Sequence, residues 1–556
     1  EKDGVDGSSV YLYGEGWNFG EVADNALFEQ ATQGQLGGTG IGTFSDRLRD
    51  AVHGGSPVSG DSIFQQGFGT GLGTDPNGRP TSTSDPATLN DGSPEELAAL
   101  AHSTDLVRLG LAGNLRAFSF ETSAGTVQRG DEIDYNGQPA GYADSPEEVV
   151  TYVDAHDNET LFDILTLKLP VETSMADRVR MNTLSLATTT LSQTPSFWHA
   201  GTDLLRSKSL DRDSYNSGDH FNEIDWTGQE NTFGSGLPPE EKNGDKWDYM
   251  RPLLADPALK PAPADMATAH AAASDLLRLR FSTPLFRLGE AGLITEKVTF
   301  PGSGADAAPG VIVMHVDDTV GTDVDPALDG LLVVFNASPE PVTQTVDSLV
   351  GRELALSSVQ ADGSDAVVRE TTWDAATGAV TVPARTVAVL TEAQVATPTE
   401  PTDPPTEDPT GNPTDGVDEA VVTLSASTVR AGESLTVDAS GFAPGETVQV
   451  WLNSEPQLLV AQAVGDDGAL TVRVTVPLAT EPGAHTIRAV GLASGTEDSA
   501  ALTVLAADGS GDGASGPGGS LSLTGTAPFA AGVLALTLLV AGAATIAARR
   551  RRDDAG

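Results

Sequence analysis

Residues 149–159 read Val149-Val150-Thr151-Tyr152-Val153-Asp154-Ala155-His156-Asp157-Asn158-Glu159. An apolar run breaks abruptly into acidic and polar residues, which predicts a buried strand that delivers chemistry at its C-terminal end. Parallel α/β folds keep their sites at that end. Two other stretches are built alike. Tyr11-Leu12-Tyr13-Gly14-Glu15-Gly16-Trp17 sets a carboxylate between two glycines, which permit a sharp turn and close ligand approach, and follows it with a flat aromatic face. Pro195-Ser196-Phe197-Trp198-His199-Ala200-Gly201 leads into Leu205-Arg206-Ser207-Lys208-Ser209 and the polar run from Asp211 to Asp219. The strands Val10–Tyr13, Val149–Val153 and Pro195–Trp198 are expected to be buried. Each stretch also has a plainer use: a Gly-Glu-Gly turn is common, His-Asp-Asn can cap a helix, and Asp211–Asp219 can be a solvated loop. Their order and spacing together favour function.

Helical spacing falls at 44–52, 177–187 and 267–279, between these strands and after them. The alternation implies a parallel α/β arrangement. Three or four strand–helix units fit, too few to close an eight-stranded barrel. From about 285 to 395 the pattern turns to β, with Val311-Ile312-Val313-Met314-His315-Val316 and Leu331-Leu332-Val333-Val334-Phe335-Asn336 as continuous apolar strands. Residues 396–417 form a Pro/Thr/acidic linker; 397–416 hold six prolines and no basic residue, which implies a stiff, extended segment. Short alternating runs separated by turn residues over 418–506 predict an immunoglobulin-like sandwich, read as a spacer. A Gly/Ser tether covers 507–520.

Composition narrows the function. Of 556 residues, 31 are Lys or Arg and 79 are Asp or Glu, a formal charge of −48 that repels phosphate backbones and excludes a nucleic-acid partner. At 39 % hydrophobic the chain can build several cores, and with no cysteine it has neither disulfides nor thiolate chemistry. All seven tyrosines and four of the six tryptophans precede residue 252, which puts ligand handling first and plainer β modules behind. The stretch 526–548 is uncharged and long enough to span a bilayer as a transmembrane helix, and Arg549–Arg552 follow it as a stop-transfer cluster. Just before it stands Leu521-Ser522-Leu523-Thr524-Gly525.

That C-terminal order of motif, apolar span and basic tail, over 521–556, resembles a sortase-type cell-wall sorting signal, in which the Thr524-Gly525 bond is cut; Ser522 stands where the usual motif has Pro or Ala. The expectation is an exported protein, held in the membrane as a precursor and then joined to peptidoglycan at the cell surface. The order of the three upstream stretches resembles the α-amylase superfamily of glycoside hydrolases, and closely its pullulanase-type α-1,6-glucosidases, from about Gly14 to Gln394. The matching segments are 14–22, 40–52, 107–115, 133–137, 156–161 and 204–222.

The resemblance implies that 1–284 form the C-terminal half of a (β/α)8 catalytic barrel and 285–395 the all-β domain behind it. It implies hydrolysis of α-1,6 branch linkages in pullulan, starch or glycogen by a retaining mechanism. Glu15 matches the proton donor, and its neighbours Tyr13 and Trp17 would favour the raised pKa that role needs. Asp157 matches the stabiliser of the oxocarbenium-like transition state, and His156 the histidine that bonds the same sugar. Trp17 falls near the leaving-group side, and Asp211, Arg212 and Asp219 along the donor side. Calcium is compatible with the family and the many Asp and Asn side chains, without an assigned ligand set. The family nucleophile, an Asp in an Arg-x-Asp motif ending the fourth strand, has no counterpart: 14 residues precede Glu15, and Asp3 and Asp6 follow no apolar strand. The chain is therefore expected to be the C-terminal portion of a longer enzyme and inactive alone. His220 stands where relatives are expected to carry Trp. A non-catalytic surface α-glucan-binding protein is the alternative, and a purely adhesive wall protein leaves Glu15, His156 and Asp157 without a role.

Overall fold

A computed structural model describes residues 10–394 except 58, and residues 420–505 except 454–456, 466, 478–479, 481 and 492–495. The linker, the motif holding Thr524 and Gly525, the apolar span 526–548 and Asp3 and Asp6 all lie outside the described residues. Among the described residues no helix is long and apolar enough to cross a membrane. The chain divides into two compact units, 1–401 and 402–556.

The first unit is organised on a parallel sheet. Strand β1 (Tyr13–Gly14) pairs in parallel with β2 (Gly42–Phe44), Tyr13 opposite Gly42, and β2 pairs in parallel with β3 (Val149–Val150), Thr43 opposite Val149. A parallel bridge from Thr151 to Ser196 sets the 195–197 segment beside β3, with the Phe197 N–H donating to the Thr151 carbonyl at 2.9 Å. All three expected strands are thus neighbours in one parallel array, with β2 inserted between the first two.

Helices α1 (Asp46–His53) and α2 (Pro94–Leu111) lie between β2 and β3, and α3 (Leu161–Lys168) and α4 (Met175–Thr190) follow β3. Their starts are locally encoded. Ser93, Thr160 and Ser174 each accept a hydrogen bond from the N–H three residues on, which satisfies an otherwise orphaned donor of the first turn. The long helix α5 (Pro263–Ser282) packs against α4. The expected helices at 177–187 and 267–279 fall inside α4 and α5. The one at 44–52 begins two residues later, because Phe44 still belongs to β2.

Two expectations need correction. The segment Val10–Tyr13 is not buried: Val10 is 53 % and Leu12 59 % exposed. Its strand β1 is the outer member of the array, paired among the described residues on one side only, which leaves Val10 and Leu12 open. The crossover from β1 to β2 also carries no α-helix, only short 3₁₀ turns at Gly20–Asn25 and Gln33–Gln35.

Residues 298–393 form a sandwich. A five-stranded antiparallel sheet runs in the order 354–356, 386–393, 328–336, 311–317, 298–299, and a three-stranded sheet in the order 342–345, 379–382, 372–374. The apolar runs follow from double burial, since a strand covered on both faces reads as continuous rather than alternating. Ile312, Met314, Leu331, Val333 and Phe335 join the core that holds Leu48, Val107, Leu165 and Leu184. The residues between them, Val311, Val313, Leu332 and Val334, face Val346, Val380 and Val382 of the second sheet.

The second unit is an eight-stranded sandwich of a three-stranded sheet (421–424, 434–440, 470–475) and a five-stranded one (428–430, 497–505, 483–491, 447–453, 457–463). Val437, Val448, Val450, Leu452, Ile487 and Leu502 fill its core.

Candidate active site

The loops leaving the C-terminal ends of β1, β3 and the 195–197 segment meet around a cleft of about 1420 Å³. Glu15, Trp17, His156, Asp157 and Arg212 line it. Its wall is aromatic: the Phe44 ring meets Tyr152 and Phe197 edge-on, each at 5.1 Å between centroids. Apolar faces beside carboxylates suit a polyol with flat hydrocarbon faces and many hydroxyls.

Glu15 leaves the end of β1, and Gly16 is required after it. Gly16 has φ +70°, and a Cβ there would lie 2.6 Å from the Thr43 Cγ2. Trp17 is half-buried, its carbonyl accepting from the Gln30 side chain at 2.9 Å. Glu15 itself is exposed. The expected apolar enclosure of its carboxyl is not formed by the described residues, because Tyr13 turns its ring to Tyr11 and Phe44 instead.

His156 and Asp157 stand at the cleft with side chains 78 % exposed, His156 Nδ1 3.2 Å from Asp157 Oδ1. Behind them the groups are buried. Asp154 accepts the Leu161 N–H at 3.1 Å, capping the region where α3 begins, and its Oδ2 lies 3.6 Å from His199 Nδ1. The Arg206 guanidinium reaches His199 Nε2 at 2.9 Å. A guanidinium only donates, so Nε2 must accept and Nδ1 carries the hydrogen that faces Asp154.

Of the donor-side residues, Arg212 lines the cleft and donates to the Pro57 carbonyl at 2.6 Å. Asp211 and Asp219 are not among the residues that line it. Asp211 is fully buried, accepting from Ser217 Oγ at 2.6 Å, Asp213 N at 3.0 Å and Asn243 Nδ2 at 3.0 Å. Its carboxylate is consumed in holding the loop. Asp219 opens the short helix Asp219–Asn222 and is exposed. His220 lines a separate cavity of about 340 Å³ with Arg206, Glu223 and Asp225. Asp213 lines the main cleft, 3.1 Å from the Lys242 ammonium.

Sequence reasoning passed over the basic residues beneath the cleft. The buried Lys168 ammonium donates to the His53 and Gly54 carbonyls at 2.9 and 2.6 Å. Burial, partly opposed by Glu159 and Asp50, draws its pKa down to about 7. Burial, helped by Lys168 and Arg49, also holds His53 well below its usual value. Arg49 stacks over Tyr152 at 5.4 Å, and burial pushes the Tyr152 hydroxyl up to about 12. The one available signal was a lysine inside the mostly apolar segment 161–169, which holds only Asp163 and Thr166 as its other polar residues.

Among the described residues no group of three or more His, Asp or Glu is arranged to hold a metal ion.

Comparison with known proteins agrees with this architecture. Residues 228–393 match the family described as alpha-1,6-glucosidases, pullulanase-type, C-terminal, a match that begins ahead of the expected boundary at 285 and so takes in α5. Residues 418–504 match the macroglobulin-like domain. The chain is 44 % identical over 402 residues to pullulanase 1, chloroplastic, of Arabidopsis thaliana, covering 71 % of this chain and 40 % of the relative. It is 42 % identical over 385 residues to the pullulanase of Klebsiella pneumoniae, covering 68 % and 34 %. Among solved structures, the maltotriose complex of PulA from Klebsiella pneumoniae superposes with a TM-score of 0.64 at 41 % identity, over 70 % of this chain and 40 % of that one. PulA from Klebsiella oxytoca gives 0.64 at 40 % identity, over 70 % and 36 %. The chain thus spans well under half the length of these relatives. Its residues 228–393 carry the C-terminal domain of the pullulanase-type α-1,6-glucosidases, within a longer stretch similar to pullulanases.

Proposed function

We propose that this chain supplies the proton donor and the transition-state stabiliser of a retaining debranching hydrolase that cuts α-1,6-glucosidic linkages in pullulan, starch or glycogen. One observation carries the reading: Glu15 and Asp157, far apart in sequence, line one aromatic-walled cleft at the C-terminal ends of two strands of a parallel array. In this reading the four neighbouring strand segments are half of a (β/α)8 barrel. Glu15 protonates the leaving glycosidic oxygen and later activates water. Asp157 and His156 bond the hydroxyls of the sugar that develops oxocarbenium character, where bonds that strengthen in the transition state accelerate the reaction. Trp17 stacks on a sugar face and Arg212 reaches the donor side.

A retaining mechanism needs a second carboxyl about 5–5.5 Å from the first, as nucleophile. We infer that this aspartate is supplied from outside these 556 residues, by a strand that pairs with the free edge of β1. The uncovered Tyr11, Leu12 and Tyr13 support that placement. The finer targeting belongs to the same reading: export, sortase cleavage between Thr524 and Gly525, linkage to peptidoglycan, and the macroglobulin-like unit as a spacer.

The test is reducing-sugar release from pullulan by three samples. The chain alone should be inactive. The chain joined to an upstream segment ending in an Arg-x-Asp strand should be active. The joined protein with Glu15→Gln should lose activity by on the order of 10²–10⁴-fold. Activity of the chain alone that vanishes on Glu15→Gln would place the nucleophile within it and overturn the mechanism. Glucan binding with no hydrolysis by the joined protein would favour a non-catalytic glucan-binding protein.

A further inference from the structure

His156 and Asp157 are so exposed that no packing around their side chains fixes them. Their placement is set by backbone, and that backbone is unusual. Asn158 sits at φ +65°, a conformation L residues adopt at a cost and keep only when the surroundings impose it. The imposing group is Lys208. Its buried side chain brings the ammonium to the His156 carbonyl at 3.1 Å and the Asn158 carbonyl at 2.6 Å, the two carbonyls that flank Asp157. Such charge-assisted bonds are shorter and stronger than bonds between neutral groups.

Lys208 is itself held. Its backbone N–H donates to Asp163 Oδ2 at 2.8 Å, the Leu210 N–H donates to the same oxygen at 3.2 Å, and Ser207 Oγ donates to Asp163 Oδ1 at 2.6 Å. Asp163 is fully buried in the first turn of α3, and its own N–H donates to the Thr160 hydroxyl at 3.2 Å. Ser209 and Leu210, at φ +52° and +66°, bend the chain so that these N–H groups converge on one carboxylate. A continuous set of bonds thus runs from the start of α3 through Asp163 and the 207–210 loop to the ammonium, and from there to both sides of Asp157.

We propose that Lys208 is the positioning residue of Asp157: its ammonium clamps the 156–158 backbone and so aims the carboxylate and the neighbouring imidazole into the cleft. The clamp rests on this geometry alone, and its catalytic consequence rests on the reading of Asp157 given above. Lys208→Met keeps the aliphatic stem and removes the donors, whereas Lys208→Arg keeps charge and donors.

The first measurement is made on the full chain with ¹³C-labelled histidine. Eight signals are expected, with His156 assigned by its loss in His156→Gln. Lys208→Met should shift or broaden the His156 signal and leave the remote His102, His270, His315 and His485 in place. An unmoved His156, or movement of the remote signals as well, overturns the clamp. The second is made on the joined, active protein. A misplacement of about 1 Å can cost on the order of 100-fold in rate, so Lys208→Met should lower kcat by that order with KM within about threefold. Lys208→Arg should recover at least about tenfold of the loss. A loss confined to KM, or no recovery by Arg, overturns the positioning role. If the wild-type joined protein is itself inactive, the debranching reading fails and the His156 signal alone decides the clamp.

Discussion

Lys168 shows how one buried side chain ties the cleft to stability. Taking an ammonium out of water disfavours its charged form, and here the pKa falls from 10.5 to about 7. Between those two values the unfolded chain holds the proton and the folded chain does not, so the contribution of this site to stability rises with pH across that window. Below about pH 7 both states are protonated and the contribution is flat. The unfolding temperature of wild type should therefore gain on that of Lys168→Met as pH goes from 7 to 9. A difference that stays constant or narrows would mean that the ammonium remains charged in the fold. Asp211 and Asp219 teach a different lesson. Both are acidic residues in one polar loop, and nothing in the residue types says that one carboxylate is buried and spent on Ser217, Asp213 and Asn243 while the other is exposed at the start of a short helix. Glu15 was singled out by its order with the other two stretches, since a Gly-Glu-Gly turn by itself is common.

Strand β1 is the element whose environment the sequence misstated. Val10–Tyr13 has the residues of a buried strand, and its burial depends on a neighbour that the described residues do not include. An uncovered apolar edge invites pairing with another chain. Leu12→Lys should reduce concentration-dependent self-association of the chain, measured by light scattering across a dilution series, with little change in unfolding temperature because Leu12 is already exposed. Unchanged association would mean the edge is not sticky and would weaken the case for a strand docking there. The strands 311–317 and 328–336 behave in the opposite way. Their unbroken apolar runs already announce burial on both faces, and the structure supplies α/β core on one side and a second sheet on the other.

At the scale of the whole molecule, the two units have separate cores. Leu332 lies fully buried in the first unit and Leu452 in the second. Truncating a buried leucine to alanine costs about 2–5 kcal/mol, from lost transfer energy and the cavity left behind. Calorimetry should thus resolve two transitions, with Leu332→Ala lowering one and Leu452→Ala the other. A single transition moved by both substitutions would show one cooperative body instead.

Fold class was legible because periodicity and composition are properties of the chain itself. Apolar runs ending in polar residues marked β3 and the 195–197 segment, unbroken apolar runs marked the strands 311–317 and 328–336, and short alternating runs marked five strands of the second unit, whereas β2 and the strands 428–430, 457–463 and 497–505 carry no such signal. Glu15, Trp17, His156 and Asp157 line one cleft for a related reason: strand ends of a parallel sheet share one edge, so residues placed there are brought together by topology. What tertiary structure alone decided is what each polar group does once the chain has closed. The Asp211 carboxylate was assigned to the loop, Lys208 to the carbonyls beside Asp157, and Lys168 to the floor of the cleft. Such choices depend on which donors and acceptors come within about 3 Å of one another across the fold. That distance is fixed by packing between segments remote in sequence, and no local pattern encodes it.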